Sequence, residues 1–222
     1  MTGQAPPVPE RAENRILYLL RHGAIQSGAG GKRYLGRTDL PLSAAGVAQA
    51  RAWAAFFAAG TLNAICSSDL TRCMETARVI GEACLLPVHA APAFREIDPG
   101  DWDGLRFDAV KARWPDAFRQ RGENIDDYRP PGGESFRDLQ SRAWSAFETL
   151  SRQIRGKTLI VTHAGVIRVL LCRLLVVPLA NLFTIEQDYG ALTTIEVSPD
   201  GCRALATNQP LDNIRRNRGA RP

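Results

Sequence analysis

Short apolar runs alternate with longer amphipathic segments along most of this 222-residue chain. The runs have the length and content of buried strands, and the segments between them repeat apolar residues at helical spacing. This order favours a parallel sheet with helices packed on both of its faces. The predicted fold class is therefore α/β, a three-layer α/β/α sandwich with a mainly parallel central sheet.

Local patterns place the individual elements. Strands are predicted at Ile16–Leu20, 63–68 and 157–163, and a closing hairpin is predicted around Pro199–Gly201. Helices are predicted after Ser43, after Ser68 or Asp69, from Ser135 to Ile154, and over 165–175. The segment 98–133 is rich in Pro, Gly, Asp and Arg, and it predicts an insertion with short helices that covers part of the fold.

Length and charge suggest one domain with two short flanks. We expect a flexible segment at 1–14, a domain over 15–209 that contains the insertion at about 98–133, and a flexible basic tail at 210–222. Much of the net charge of +5 comes from that tail. A basic tail is most often solvated, so no nucleic-acid partner is expected.

Cysteine use and hydropathy indicate a cytoplasmic protein without a membrane partner. The five cysteines include no CxxC pair, which is typical of a reduced, intracellular chain. No apolar stretch reaches the ~18 residues of a membrane span, and the N-terminus lacks the apolar core of a signal peptide. The sequence leaves the oligomeric state open, with a homodimer as one alternative.

Two histidines follow predicted strands. Arg21-His22-Gly23 ends the first strand, and Thr162-His163-Ala164-Gly165 ends a later one. Because ligands bind at the carboxyl ends of the strands in open α/β sheets, we expect both histidines in one pocket. We expect the following glycines to let the backbone turn and approach a ligand. The helix after His163 adds free N–H groups that favour an anion.

Arginines at the same edge predict a phosphoryl site. Arg72 lies in the first turn of the helix that follows the second strand, so it should join Arg21 near the histidines. Paired guanidinium groups bind a phosphate dianion through charge-assisted hydrogen bonds. A neutral imidazole is a competent nucleophile.

An acid for the leaving oxygen is available in "FREIDPGDWDG", which contains Glu96 with Asp98, Asp101 and Asp103 nearby. The chain contains neither a Walker A motif nor HExxH. We therefore expect neither a metal nor a cofactor, and a small phosphorylated molecule as the partner.

Six blocks in order resemble the histidine phosphatase superfamily, in its phosphoglycerate-mutase-like branch: "LLRHGAI", "LGRTDLPLSAAGVAQA", "SSDLTRCMETA", "FREIDPGDWDG", "PGGESF" and "VTHAGVIRVLL". The resemblance implies a phosphoglycerate-mutase-like fold and a metal-independent phosphohistidine mechanism. It makes His22 the nucleophile and Glu96 the proton donor that later activates water. It also makes Arg21, Arg72 and His163 the groups that bind the transferring phosphoryl group.

Within this branch the blocks are most similar to those of alpha-ribazole phosphatases. The resemblance therefore implies hydrolysis of a small phosphomonoester such as alpha-ribazole phosphate. The short middle segment favours hydrolysis over mutase action, and a cofactor-dependent phosphoglycerate mutase is the alternative within the fold.

The first block departs from the family pattern. Ala24 and Ile25 replace an acidic and a hydroxyl residue, and the loop that follows lacks the family's phosphate-binding asparagine. Gln26 or Ser27 could substitute for it. These departures support an alternative of another class, a non-catalytic phosphate-binding regulatory protein.

Three more residues complete the substrate-binding candidates. Arg37 and Thr38 either contact substrate or stabilise their loop, and the sequence does not decide between the two. Ala164 immediately precedes the predicted helix whose free N–H groups favour an anion.

Overall fold

A computed structural model describes residues 15–26, 31–58 and 60–219 of this chain. A six-stranded sheet with the order β3-β2-β4-β1-β5-β6 forms its centre. The strands are β1 (Arg15–Arg21), β2 (Ala64–Ser67), β3 (Val88–Ala90), β4 (Lys157–Thr162), β5 (Leu192–Ser198) and β6 (Gly201–Gln209). β1 to β4 are mutually parallel, whereas β5 pairs antiparallel with β1 and with β6. The mainly parallel sheet and the closing hairpin are thus confirmed.

Helices cover both faces of the sheet, as the three-layer prediction requires. They are α1 (Ala44–Phe57), α2 (Thr71–Cys84), α3 (Phe107–Arg113), α4 (Pro115–Glu123), α5 (Phe136–Gln153), α6 (Ala164–Leu174) and α7 (Leu211–Gly219). On one face α1 and α2 pack on Leu20, Ile65 and Val161. On the other face α5 and α6 pack on Leu17 and Ile160. Side chains of one strand alternate between these two cores, since successive residues point to opposite faces.

Two of the predicted helix caps are present and one differs. The Ser43 hydroxyl accepts the Gly46 N–H at the start of α1, and Ser135 forms a reciprocal capping box with Asp138 at the start of α5. By contrast, Leu70 occupies the N-cap position of α2 and makes no side-chain hydrogen bond there. Ser68 or Asp69 was expected in that role. The Ser68 hydroxyl accepts the Leu70 N–H at 3.4 Å, but the main partners of both side chains lie elsewhere, as the next subsection describes.

The insertion has its own small core. α3 and α4 bury Val110 together with Trp102 and Tyr34, apart from the two main clusters. Antiparallel hydrogen bonds join the loop 32–34 to 105–107: Tyr34 N–H donates to Leu105 at 3.0 Å and Phe107 N–H donates to Lys32 at 3.0 Å. The insertion is therefore attached to the loop that leads toward Arg72.

The C-terminal region differs from the expected tail. A helix, α7, covers 211–219 where we expected a flexible segment from 210. Leu211 is buried and Ile214 packs beside it against the α1–α2 core. Their apolar spacing was obscured by the surrounding arginines. The expected flexible segment 1–14 lies outside the described residues, as do 220–222.

All five cysteines are free thiols. None of the described helices is both long enough and apolar enough to cross a bilayer.

Candidate active site

The carboxyl ends of β1 and β4 bring His22 and His163 together. Arg21 pairs with Thr162 in the register of these neighbouring strands, and the His22 N–H donates to the Thr162 carbonyl at 3.0 Å. Each histidine is therefore the first residue beyond its strand. The ring centroids are 5.1 Å apart at an interplanar angle of 66°.

The surroundings of His22 leave one ring nitrogen free to attack. Nδ1 lies 2.8 Å from the carbonyl oxygen of Gly23, and a carbonyl only accepts, so Nδ1 carries the proton. Burial lowers the pKa of His22 well below its usual value, and the charges of Arg72 and Arg21 lower it further. The ring is therefore neutral at pH 7, with its lone pair on Nε2.

His163 is buried completely and is held by the end of a third strand. Ser68, the first residue after β2, places its hydroxyl 2.8 Å from Nε2 of His163. The Cys73 sulfur lies 3.4 Å from the same nitrogen. Burial lowers the pKa of His163 well below its usual value, with further contributions from His22, Arg72 and Arg21.

Arg72 is anchored by a turn rather than by an acid. Its Nη1 donates to the Thr38 carbonyl at 3.0 Å and its Nη2 donates to the Gly36 carbonyl at 2.8 Å. A guanidinium has five N–H donors, so these two bonds leave three for a ligand. The side chain is buried, which fixes its direction.

Arg21 is held by the segment before β5. Its Nη1 donates to the Gln187 carbonyl at 2.6 Å, and its guanidinium carbon lies 3.7 Å above the ring of Tyr189. Burial lowers the pKa of Arg21, although the group stays cationic. Within the described chain neither Arg21 nor Arg72 forms an ion pair. One buried and one partly buried cation, neither of them in an ion pair, make this site attractive to a dianion.

Glu96 lies at the N-terminus of α6. Its Oε2 accepts the Gly165 N–H at 3.0 Å, and its Oε1 accepts the N–H of Ile97 at 2.9 Å. Arg142 fixes the backbone there by donating to the Glu96 carbonyl at 2.9 Å and to the Glu134 carboxylate.

The other acids of this block have different partners. Asp98 accepts from Gly100 N–H and faces Arg37, Asp101 is exposed, and Asp103 binds a backbone turn. Asp69, expected as a helix cap, instead pairs with Arg95 through two hydrogen bonds. Glu96 is therefore the acid whose carboxylate reaches the helix that His163 begins.

The five substrate-binding candidates from the sequence do not share one environment. Arg37 is half-buried, with Nε 3.4 Å from Asp98 and Nη2 3.7 Å from Glu134. Thr38 contributes its carbonyl to Arg72, and the Ala164 N–H has no hydrogen-bond partner among the described residues. Gln26 is exposed and donates to the Leu42 carbonyl. Ser27 lies outside the described residues.

Ala24 and Ile25, the two residues that depart from the family pattern, are both held by contacts within the protein. Ala24 accepts from Ser43 and donates to Gln49, and Ile25 is buried in a bridge with Leu42.

The glycines near the histidines serve packing more than turning. Neither Gly23 nor Gly165 has a positive φ. A Cβ at Gly23 would meet the Gly46 backbone of α1, and a Cβ at Gly165 would overlap the carboxylate of Glu96. These two glycines let α1 and Glu96 approach the backbone closely, and the expected approach to a ligand stays a prediction.

Several residues of the site escaped the sequence reasoning. Ser68 was considered only as a cap, although its position after a parallel strand could have indicated the site. Tyr189 and Gln187 lie in a segment without a recognisable pattern. Arg142 lies on the predicted helix from Ser135 to Ile154, but helical periodicity does not show that its side chain binds the Glu96 carbonyl.

Comparison with known proteins shows the family to which the chain belongs. The family model described as "Histidine phosphatase superfamily (branch 1)" matches residues 17–210. The chain is 26% identical over 198 residues to the adenosylcobalamin/alpha-ribazole phosphatase of Salmonella typhimurium, covering 89% of this chain and 96% of that protein. It is 31% identical over 182 residues to phosphoserine phosphatase 1 of Hydrogenobacter thermophilus, covering 82% and 86% respectively.

Among solved structures, a mycobacterial glucosyl-3-phosphoglycerate phosphatase in complex with inorganic phosphate superimposes with a TM-score of 0.75. The identity is 29%, and the match covers 89% of this chain and 98% of that one. All three of these proteins are named as phosphatases, each for a different phosphorylated molecule.

Proposed function

This chain belongs to the histidine phosphatase superfamily (branch 1), and from that premise we propose that it hydrolyses small phosphomonoesters through a phosphohistidine at His22. One observation carries the proposal. Among the described residues, the Nε2 of a neutral, buried His22 has no hydrogen-bond partner; the ring lies beside His163 and near two guanidinium groups that form no ion pair. A nucleophile among unpaired cations suits attack on a dianionic phosphoryl group.

The first step transfers the phosphoryl group to the protein. His22 Nε2 forms a bond to phosphorus while the bond from phosphorus to the leaving oxygen breaks. Glu96, in its protonated form, gives its proton to that oxygen. Arg21, Arg72 and the N–H groups of His163 and Ala164 bind the equatorial oxygens, where the charge is spread in the transition state.

The second step returns the enzyme to its starting state. The Glu96 carboxylate takes a proton from water, and the water oxygen forms a bond to phosphorus as the bond from phosphorus to Nε2 breaks. The products are inorganic phosphate, neutral His22 and protonated Glu96. The relatives' names support the reaction type.

Within the class of small phosphomonoesters, we also propose a specific substrate. We take alpha-ribazole phosphate as the first candidate, on the similarity to the Salmonella protein over nearly its whole length. Phosphoserine and glucosyl-3-phosphoglycerate are the comparison substrates, chosen from the other two relatives. The substrate with the highest kcat/KM at matched concentrations is the preferred one. A value for alpha-ribazole phosphate below both others would reject it.

The reaction is tested with para-nitrophenyl phosphate in the presence of EDTA, with rapid quenching to detect acid-labile phosphohistidine. We expect turnover and a phosphohistidine burst in the wild type, and loss of both in His22→Asn. The matched control is His89→Asn, since His89 is exposed on the edge strand β3. Full turnover in His22→Asn would reject the mechanism.

The same experiment separates the alternatives. A non-catalytic phosphate-binding protein would bind orthovanadate without releasing phosphate from any ester. A mutase would interconvert phosphoglycerates in the presence of bisphosphoglycerate faster than it releases phosphate.

A further inference from the structure

The turn at 36–38 connects the insertion to the arginine that faces the phosphoryl pocket. Its backbone groups point in two directions. The N–H groups of Gly36 and Thr38 donate to the carboxylate of Asp103 at 2.8 and 2.5 Å, and the Thr38 hydroxyl donates to it at 2.8 Å. The carbonyl oxygens of the same two residues accept from Arg72.

We propose that Asp103 is a positioning residue that orients Arg72 through this turn. The inference rests on the proposed function, because it supposes that Arg72 binds the phosphoryl group. Asp103 itself touches neither histidine, and its contacts are with the turn. Its carboxylate can receive all three donors of the turn, because an ionised carboxylate is an acceptor with four lone-pair sites. The N–H and the carbonyl of one residue belong to neighbouring peptide groups, so Asp103 acts on the two bonds to Arg72 by fixing the conformation of the turn.

Close packing leaves the turn little other freedom. A Cβ on Gly36 would overlap the Ile97 carbonyl and the ring of Pro99, so the turn presses on the segment that follows Glu96. Gly104, the residue after Asp103, has a φ of +78° and donates to the Tyr34 carbonyl at 2.7 Å. The insertion thus binds the N–H groups of the turn through Asp103, while Arg72 binds its carbonyl groups.

The substitution Asp103→Asn leaves the three donors of the turn without a full set of acceptors. An amide keeps one acceptor oxygen but turns an N–H₂ group toward a backbone donor of the turn. The turn then shifts, and the carbonyls that hold Arg72 shift with it. A misplacement of this kind costs about 10- to 100-fold in a reaction that depends on orientation.

The decisive measurement is a double-mutant cycle on orthovanadate affinity, measured by calorimetry. The four proteins are wild type, Asp103→Asn, Arg72→Ala and the double variant. We expect Asp103→Asn to weaken vanadate binding about 10-fold when Arg72 is present. In the Arg72→Ala background we expect the same substitution to weaken binding less than about twofold. Equal weakening in both backgrounds would overturn the inference, because Asp103 would then act independently of Arg72.

Two further variants separate positioning from general destabilisation. Thr38→Val removes only the hydroxyl bond to Asp103, and we expect vanadate binding about 3- to 10-fold weaker. Asp108→Asn removes an exposed acid that pairs with Arg106 in the same insertion, and we expect unchanged affinity. Weakening by Asp108→Asn equal to that by Asp103→Asn would reject a specific role for Asp103.

Turnover gives a second measurement, independent of the double-mutant cycle on vanadate affinity. With para-nitrophenyl phosphate, we expect Asp103→Asn to lower kcat per active site, titrated from the phosphohistidine burst. A structural role alone would lower the titrated fraction and leave kcat unchanged, which would contradict the inference. Absence of turnover in the wild type would instead reject the proposed function, whereas the vanadate cycle tests the coupling without turnover.

Discussion

The Gly165 N–H donates to the carboxylate of Glu96 at 3.0 Å, and a Cβ on Gly165 would lie 3.0 Å from Cδ of Glu96 and overlap Oε1. The carboxyl group therefore occupies the space that any other residue at this position would fill. The position of the proposed acid thus depends directly on a glycine in another element.

The first prediction concerns this contact. Gly165→Ala is expected to push Glu96 away from α6 and to lower kcat about 100-fold, which is within the range that a general acid contributes. Hydrolysis of para-nitrophenyl phosphate measures kcat, and circular dichroism shows whether the variant is folded.

The matched control is Gly122→Ala in α4, where a Cβ would meet nothing within 4 Å. We expect unchanged kcat and a free energy of unfolding higher by about 0.5–1 kcal/mol. A folded Gly165→Ala variant with wild-type kcat would show that Glu96 does not need this position.

The meeting of His22 and His163 was predictable because parallel strands end at one edge of a sheet. Other features depend on partners that local pattern does not reveal. Ser68 and Asp69 have the chemistry of helix caps, but His163 and Arg95 engage them instead. Competition between partners distant in sequence therefore decided the start of α2.

The contacts of Asp103 and Tyr189 illustrate the same limit. Asp103 reaches a turn that lies 65 and 67 positions earlier in the chain. Tyr189 contacts Arg21, although most of the domain's sequence separates the two residues. Both contacts depend on loop conformation, for which the sequence offers no periodicity, whereas strand ends follow from the order of elements.

The second prediction concerns stability at mildly acid pH. The pKa values of His22 and His163 are both lowered well below about 6.5 by burial and by nearby cations. Below pH 6.5 the unfolded chain binds protons that the folded chain does not, so the free energy of unfolding falls as pH falls. The limiting slope is about 1.4 kcal/mol per pH unit for each histidine.

Urea denaturation between pH 7.5 and 5.5 measures this slope, in a range above the titration of the acidic side chains. His22→Asn removes one of the two groups, so its slope should be shallower than that of the wild type. A free energy of unfolding that stays constant from pH 7 to 5.5 would contradict the neutral, buried state of the histidines.

The third prediction concerns Tyr189, whose ring lies 3.7 Å from the Arg21 guanidinium carbon and 5.5 Å from the His22 ring. Tyr189→Leu removes the cation–π contact, and we expect kcat/KM to fall about 3- to 30-fold as Arg21 loses its orientation. Tyr189→Phe keeps the aromatic face and should retain most of the activity. Equal losses in the two variants would assign the effect to the hydroxyl group instead.

The last prediction concerns the thiol beside His163. Cys73 is buried with its sulfur 3.4 Å from Nε2 of His163, and burial raises the pKa of this thiol despite the nearby charge of Arg72. A protonated, inaccessible thiol reacts slowly. Native protein treated with Ellman's reagent should therefore label the partly exposed Cys66, Cys84 and Cys202 first and keep its phosphatase activity. Activity that falls in step with labelling, and is protected in Cys73→Ser, would show instead that Cys73 is accessible.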